Sequence, residues 1–243
     1  GVIGDLFVGS DNGTRAESEH AIEVRLLTHV IETLQRSPGI HRVEAQLLVH
    51  ETGAVARPFL DQGFRRYPRL FMVLPLRSPV TAPTLPADVE IRPWTEHDYQ
   101  AAAAVITAAY RGHIDSEIND QYRSLSGSVR FLNNIVRFPG CGIFDAEASF
   151  VAVHRPTRAV AGVILCSRVK HDVGHVTQVC VVPEMRGQGV GEALLAASTN
   201  ALRQRRFSSL SLTVTQANDR AVALYERLGF SITRVFDAFV WEG

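Results

Sequence analysis

Between positions 179 and 192 the chain reads Val179-Cys180-Val181-Val182-Pro183-Glu184-Met185-Arg186-Gly187-Gln188-Gly189-Val190-Gly191-Glu192. An apolar, β-branched run enters a loop with glycine at every second position, and the loop opens into a helix. Such a turn clears Cβ atoms from a helix N-terminus, so that backbone N–H groups can converge on an anion such as a pyrophosphate. Two other glycine loops fail on detail. A Walker A loop ends in Gly-Lys-Ser/Thr, whereas Gly191 is followed by Glu192, a negative side chain where a lysine would touch phosphate. A Rossmann fingerprint keeps two residues between its last glycines, and here one separates Gly189 from Gly191. An ordinary strand–turn–helix with flexible glycines stays open for this segment taken alone.

A second segment lies downstream: Asn218-Asp219-Arg220-Ala221-Val222-Ala223-Leu224-Tyr225-Glu226-Arg227-Leu228-Gly229-Phe230. Ala221, Leu224, Tyr225 and Leu228 fall at i, i+3, i+4 and i+7, which predicts a short helix that stops at Gly229. A phenol there can donate a proton, or simply pack. Asn218 can hold a ligand or cap the turn.

The elements that must position these groups read as follows. A strand at 89–92 precedes an alanine-rich helix that runs to about Tyr110, with Thr95 and Asp98 as its cap. A polar loop at 111–127 leads to a helix with Val129, Leu132, Ile135 and Val136 at helical spacing. Strands at 149–154 and 160–169 flank Arg155-Pro156-Thr157-Arg158, a hairpin turn, and a third strand runs from about His175 to Val182. The helix from Gly189 to about Arg205, a strand at 210–215, the short helix and an aromatic-rich strand complete the order.

This order and both segments resemble the GCN5-related N-acetyltransferase (GNAT) superfamily, from about residue 88 to 243. Arg186, Gly189 and Gly191 have the Arg-x-x-Gly-x-Gly spacing of its acetyl-CoA loop. Asn218 followed by Ala221-x-x-Leu224-Tyr225-x-x-x-Gly229-Phe230 has the spacing of its second signature. The resemblance implies an α/β fold with a mixed sheet and transfer of acetyl from acetyl-CoA to a primary amine, by direct attack in a ternary complex. It implies that backbone amides of Gly187, Gln188, Gly189, Val190, Gly191 and Glu192 hold the pyrophosphate, helped by the helix dipole. Arg186 either adds charge or braces the loop. Backbone groups of Val179, Cys180 and Val181 would take the pantetheine arm as an extra strand, one N–H facing the thioester oxygen. Asn218 would bind the arm and Tyr225 would be the general acid.

The base is not placed by the resemblance. Ribosomal-protein N-terminal acetyltransferases have a glutamate five residues before the asparagine, and here Thr213 stands there, which argues against a protein N-terminal substrate. Asp145, Glu147 and His175 are possible replacements, against the plainer reading of solvated or strand-end groups; ordered water is the other route. Asp115, Glu117 and Asp120 could attract a cationic amine, or form a solvated acidic loop. His171 and His175 do not make a metal pair, because Gly174 and a turn intervene.

Lys+Arg and Asp+Glu each number 25 in 243 residues, so no broad basic field attracts nucleic acid or an anionic membrane. Hydrophobic content of 46% describes a globular protein with ample core. No apolar run reaches the ~18 residues of a membrane span. Cys141, Cys166 and Cys180 have no paired spacing and suggest a reducing, cytoplasmic setting. Prolines at 75, 79, 83 and 86 mark residues 76–88 as an extended linker between a segment at 1–75 and a catalytic domain at 89–243.

The first segment reads as a degenerate half of the same fold. Residues 3–8 parallel 176–181, a helix with Ile22, Leu26, Val30 and Leu34 on one face follows, and a strand at 43–49 precedes Phe59-Leu60-Asp61-Gln62-Gly63-Phe64. Aligned with the second half, Gly13, Ala16 and Ser18 replace Arg186, Gly189 and Gly191, while Thr52 and Phe59 replace Asn218 and Tyr225. One active site per chain is expected. Gly1 in place of methionine, with only half a fold before the linker, suggests a chain whose start is absent. The acceptor is expected to be a small-molecule amine bordered by residues 111–127 and the strand after Gly229. A non-catalytic acyl-CoA-binding regulator, a structural interaction protein and a protein N-terminal or lysine acetyltransferase are the competing readings.

Overall fold

The computed structural model describes residues 1–5, 16–138, 140 and 142–243. Leu6, Phe7, Val8, Gly13 and Cys141, and the side chains of Ala16 and Ser18, lie outside the described residues. In chain order the elements are β1 (Val2–Ile3), α1 (Ala16–Arg36), β2 (Arg42–Gln46), α2 (Ala56–Asp61), β3 (Arg65–Pro75), β4 (Val89–Pro93), α3 (Tyr99–Ala109), α4 (Asp115–Ile118) and α5 (Leu125–Val136). They continue with β5 (Ile143–Phe144), β6 (Phe150–His154), β7 (Ala159–Lys170), β8 (Val173–Val181), α6 (Val190–Gln204), β9 (Ser209–Thr215), α7 (Asp219–Arg227) and β10 (Ser231–Glu242). Contacts divide the chain into two units. One holds Gly1–Phe71 with Thr215–Ala217 and Thr233–Gly243; the other holds Met72–Val214 with Asn218–Ile232.

In the second unit the strands lie in the order β9-β8-β7-β6-β4, with β5 on β7. All neighbours are antiparallel except β8 and β9, which are parallel. On one face, Ala102, Val105, Ile106, Leu132 and Ile135 of α3 and α5 pack on Val151, Val153, Val163, Leu165 and Cys180. On the other lies α6, seated where the sheet has no side chains: a Cβ at Gly174 would meet Leu202 at 2.7 Å, and one at Gly162 would meet Leu194 at 3.1 Å. The expected cap of the first helix is present, with Asp98 accepting from the Thr95 N–H at 2.9 Å. Burial works against the Asp98 carboxylate, but the Arg92 fork at 2.6 and 2.8 Å and the Thr95 donors hold it below the usual range.

Residues 76–88 contain no helix or strand, as the prolines predict, yet they are tied down. Asn200 of α6 accepts from the Val80 N–H at 3.0 Å and donates to the Val80 carbonyl at 2.8 Å. Residues 111–127 are not the open polar loop expected from sequence. They form α4, a 3-10 turn at Asp120–Arg123 and the start of α5, because Ile118 is buried as an anchor and Asn119 and Ser124 cap the turns.

In the first unit β2 lies between β1 and β10, parallel to the former and antiparallel to the latter. Phe59 of α2 stacks on Phe239 of β10 at 4.3 Å between ring centroids, within a cluster of Leu27, Ile31, Val43, Ala45 and Phe64. Two expectations need correction. The inward face of α1 is Leu27 and Ile31, while Ile22 and Leu26 are exposed; Val30 and Leu34 only flank the cluster. The strand expected at 43–49 stops at Gln46, where Leu47 bonds Asp237 and the chain turns back at His50. The two helix ends that look alike in sequence are alike in bonding: Phe64 N–H reaches the Phe59 carbonyl at 3.1 Å, and Phe230 N–H reaches Tyr225 at 3.0 Å. Gly63 and Gly229 both adopt positive φ, 78° and 94°.

Candidate active site

The site begins with a break in the sheet. β8 and β9 pair only from Val173–Ser209 to Val176–Leu212, although both strands run on, β8 to Val181 and β9 to Thr215. A bulge accompanies the parting. Leu165 faces Gln178 while Cys166 faces Val176, so Thr177 is the extra residue, and a bulge bends and twists its strand. Beyond it the Val182 N–H bonds Ala161 of β7 at 2.8 Å. Alternation along an antiparallel ladder then turns the backbone groups of Cys180 toward β7 and those of Val179 and Val181 into the gap. Two alternate residues of a central strand thus present hydrogen-bonding edges that β9 does not fill.

At the end of β8 a 3-10 turn, Pro183–Met185, leads into the glycine loop. Gly187 and Gly189 both adopt φ of +81°, which side-chain-bearing residues resist. Gly189 is the N-cap of α6, and no side chain caps that end. The first intrahelical bond is Ala193 N–H to Gly189 C=O, so the N–H groups of Gly189, Val190, Gly191 and Glu192 are the helix's unsatisfied donors. Glu192 turns away from them to pair with Arg227 at 2.9 Å. At Gly191 a Cβ would touch only Val181, at 3.7 Å, so glycine is not needed there for packing. Val190 is buried under the helix and Gln188 bonds the Glu184 carbonyl at 3.0 Å. A helix start with positive dipole and open amides can receive an anion.

Arg186 is spent on bracing. Its guanidinium donates to the carbonyls of Ala109 and Val181 and so ties the loop to α3 and β8. A second cation beside the loop is a residue that sequence reasoning passed over, Arg220. Its Nη2 lies 3.5 Å from the position of a Cβ on Gly187, and it makes no hydrogen bond or ion pair with any described residue. The signal was its place two residues after Asn218, at the start of a helix that must meet the loop.

Asn218 caps α7, its Oδ1 accepting from the Ala221 N–H at 3.3 Å, with its Nδ2 3.4 Å from His113 Nε2. Tyr225 is buried at 7% exposure against Phe230. Tyr110 stacks on Tyr122 at 4.3 Å, and His113 meets Tyr110 edge-on at 5.3 Å. Burial pushes the Tyr110 phenol well above its ordinary value, with Tyr122, Cys180, Asp115 and Tyr225 adding to the effect. The structure therefore links Asn218 to His113, His113 to Tyr110, and Tyr110 electrostatically to Tyr225.

The proposed bases fare differently. Arg205 forks onto Asp145 at 2.7 and 2.8 Å and also pairs with Glu147 at 3.1 Å, so both carboxylates are consumed by structure. The sequence could not show this, because Arg205 lies 60 residues from Asp145. His175 sits on β8 with Nδ1 2.9 Å from the Ser211 hydroxyl, and burial lowers its pKa to about 4. The Cys180 thiol, also buried, is pushed up to about 12.

The acetyltransferase (GNAT) family model matches residues 115–230, the stretch that carries the strand gap, the cradle and both signatures. Residues 115–230 therefore carry a GNAT-family domain. A mycothiol acetyltransferase of Thermobispora bispora is 32% identical over 187 residues, covering 73% of this chain and 59% of that protein. A second, from Renibacterium salmoninarum, is 27% identical and covers 83% and 59%. The chain thus spans about three-fifths of the length of these curated relatives. A GCN5-related N-acetyltransferase from Sphaerobacter thermophilus has the same fold over 94% of this chain and 69% of its own, with a TM-score of 0.69 and 18% identity.

Proposed function

We propose that this GNAT protein moves an acetyl group from acetyl-CoA to a primary amine of a small molecule, by direct attack within a ternary complex. The observation that carries the reading is the parting of β8 from β9 beside an uncapped helix start. A polyanionic thioester with an extended amide arm matches both: its phosphates suit the N–H groups of Gly189 to Glu192, and its arm suits the strand edge of Val179 and Val181. Arg220 would add a charge-assisted contact to the phosphates and Asn218 would hold the arm. The name of the relatives, mycothiol acetyltransferase, supports acetyl transfer to a small molecule.

In the step itself the amine nitrogen bonds to the thioester carbonyl carbon and the carbon–sulfur bond breaks. A strand N–H at Val179 or Val181 would steady the negative oxygen, and the Tyr225 hydroxyl would give its proton to the thiolate. Cys180 does not serve as a relay, since a thiol with a pKa of about 12 stays protonated and is a poor nucleophile. We also read the first unit as a degenerate half-repeat without a site of its own. Thr52 stands where Asn218 would and is engaged by Asp237 at 2.8 Å and by Arg66 at 2.8 Å, while Phe59 replaces the phenol. A cytoplasmic setting belongs to this reading, supported by the free, buried thiols of Cys166 and Cys180. Thiol release from acetyl-CoA with a panel of primary amines tests the function. Amine-dependent release is expected, and tight acetyl-CoA binding with no release from any amine would favour a regulatory binding module instead.

A further inference from the structure

Gly187 and Gly189 allow the loop its shape, but the same freedom lets the loop leave it, and each backbone residue ordered on binding costs roughly tenfold in affinity. We propose that residues 80–84 form a strap that holds the loop in its anion-binding form, and that Asn200, which pins the strap to α6, is a positioning residue for acetyl-CoA. The inference rests on the acetyl-CoA reading above and adds a part to that site.

Asn200 lies in the body of α6, where asparagine is a poor helix former, so its contribution is tertiary. Its Oδ1 accepts the Val80 N–H at 3.0 Å and its Nδ2 donates to the Val80 carbonyl at 2.8 Å. The two partners fix the amide orientation, because a flipped amide would set donor against donor and acceptor against acceptor. One side chain thus takes both backbone groups of Val80, as a neighbouring strand would.

Further along, the strap reaches the opposite end of the same helix. Pro83 Cγ and Cβ lie 3.2 and 3.4 Å from the position of a Cβ on Gly189, and the Thr84 carbonyl oxygen lies 3.8 Å from it. Gly189 is the N-cap of α6 and stands at φ +81°. Asn200 and Gly189 are about 16 Å apart along the helix, and extended chain from Val80 to Pro83 covers about 9 Å of that. The Asn200 side chain leans toward the helix N-terminus and shortens the remainder. Pro79, Pro83 and Pro86 fix φ along the segment, so a pin at Val80 is felt at Pro83. Gly189 is therefore held between its own helix and a stiff segment fastened to that helix at Asn200. The N–H groups of Gly189 and Val190, placed on the phosphates above, share that restraint.

A strap that only packed on α6 would stabilise the domain and leave affinity alone. A strap that shapes the loop puts its effect on cofactor binding, with pin and ring acting in series. The test uses the full chain, acetyl-CoA and a primary amine accepted by the wild type, with calorimetry for Kd and circular dichroism for the fold. Asn200→Ala and Pro83→Gly should each raise Kd, and with it the KM for acetyl-CoA, roughly tenfold, while kcat and the KM for the amine hold. The double variant should bind no more weakly than the weaker single one, because both break one restraint, whereas independent contacts would add. Pro83 lies outside every helix and strand, so Pro83→Gly carries the test where Asn200→Ala fails to fold. An unchanged Kd in the folded variants, additive losses, or a lower melting temperature with full affinity would overturn the strap while the transferase reading stands. No acetyl-CoA binding by the wild-type protein would overturn both.

Discussion

Gly191→Val is the perturbation that separates cofactor binding from folding. Gly191 is the second residue of α6 and has no positive φ, unlike Gly187 and Gly189, so valine meets no backbone strain there. Its Cβ would sit 3.7 Å from Val181, an ordinary contact. In a helix interior valine is no worse than glycine, so the melting temperature should hold within a few degrees. Helical side chains lean toward the N-terminus, and the two methyls would therefore cover the amides of Gly189 and Val190. Hydrogen bonds to a charged group are worth roughly 1.5–3 kcal/mol each, and the loss of two gives about 3–6 kcal/mol. Acetyl-CoA affinity should fall by roughly 10²- to 10⁴-fold. Calorimetry on the full chain reads this directly, with circular dichroism to show the fold intact. Wild-type binding should saturate at one acetyl-CoA per chain. An unchanged Kd in a folded variant would remove the cradle assignment, and residual tight binding at half the sites would show that the first unit holds cofactor.

Tyr225→Phe should keep acetyl-CoA affinity and lower kcat by about 10²- to 10⁴-fold; equal rates across neutral and alkaline pH would dismiss the acid role. Arg220→Gln should weaken acetyl-CoA binding by roughly tenfold, the worth of a charge-assisted contact, and should flatten the salt dependence of Kd; no change in either measurement would leave Arg220 outside the phosphate site. His175 predicts acid sensitivity. Its folded pKa of about 4 lies below the unfolded value of 6.5, so its contribution is complete above about pH 6.5 and is lost as pH falls toward 4, by up to about 3 kcal/mol. Urea midpoints over that range should show a shallower decline in His175→Gln than in the wild type, and parallel curves would refute the burial effect.

What could be read from the chain was local. Strand, glycine turn and helix start are contiguous, and the Gly229 stop follows its helix directly, so residue type and spacing determine both. The face of α1 was misread because Ile22, Leu26, Leu27, Val30, Ile31 and Leu34 offer two overlapping apolar stripes, and only tertiary packing selects Leu27 and Ile31. The functional part that escaped notice is long-range. The strand gap depends on a bulge at Thr177 that no single residue type announces. Asn218 meets His113 across 105 residues, and Asp145 loses its candidacy to Arg205. Arg220 was in view throughout, but only the approach of α7 to Gly187 brings it to the loop.

Direct transfer within a ternary complex is tested most simply by mixing the protein with acetyl-CoA alone and then adding amine. Intact-protein mass spectrometry and thiol release are followed through both steps. Because Cys180 is buried with a pKa of about 12, the protein should gain no acetyl group and release no thiol until the amine arrives, whereupon thiol and acetylated amine appear together. An acetyl adduct on Cys180, or a burst of thiol equal to the enzyme before amine is added, would contradict it.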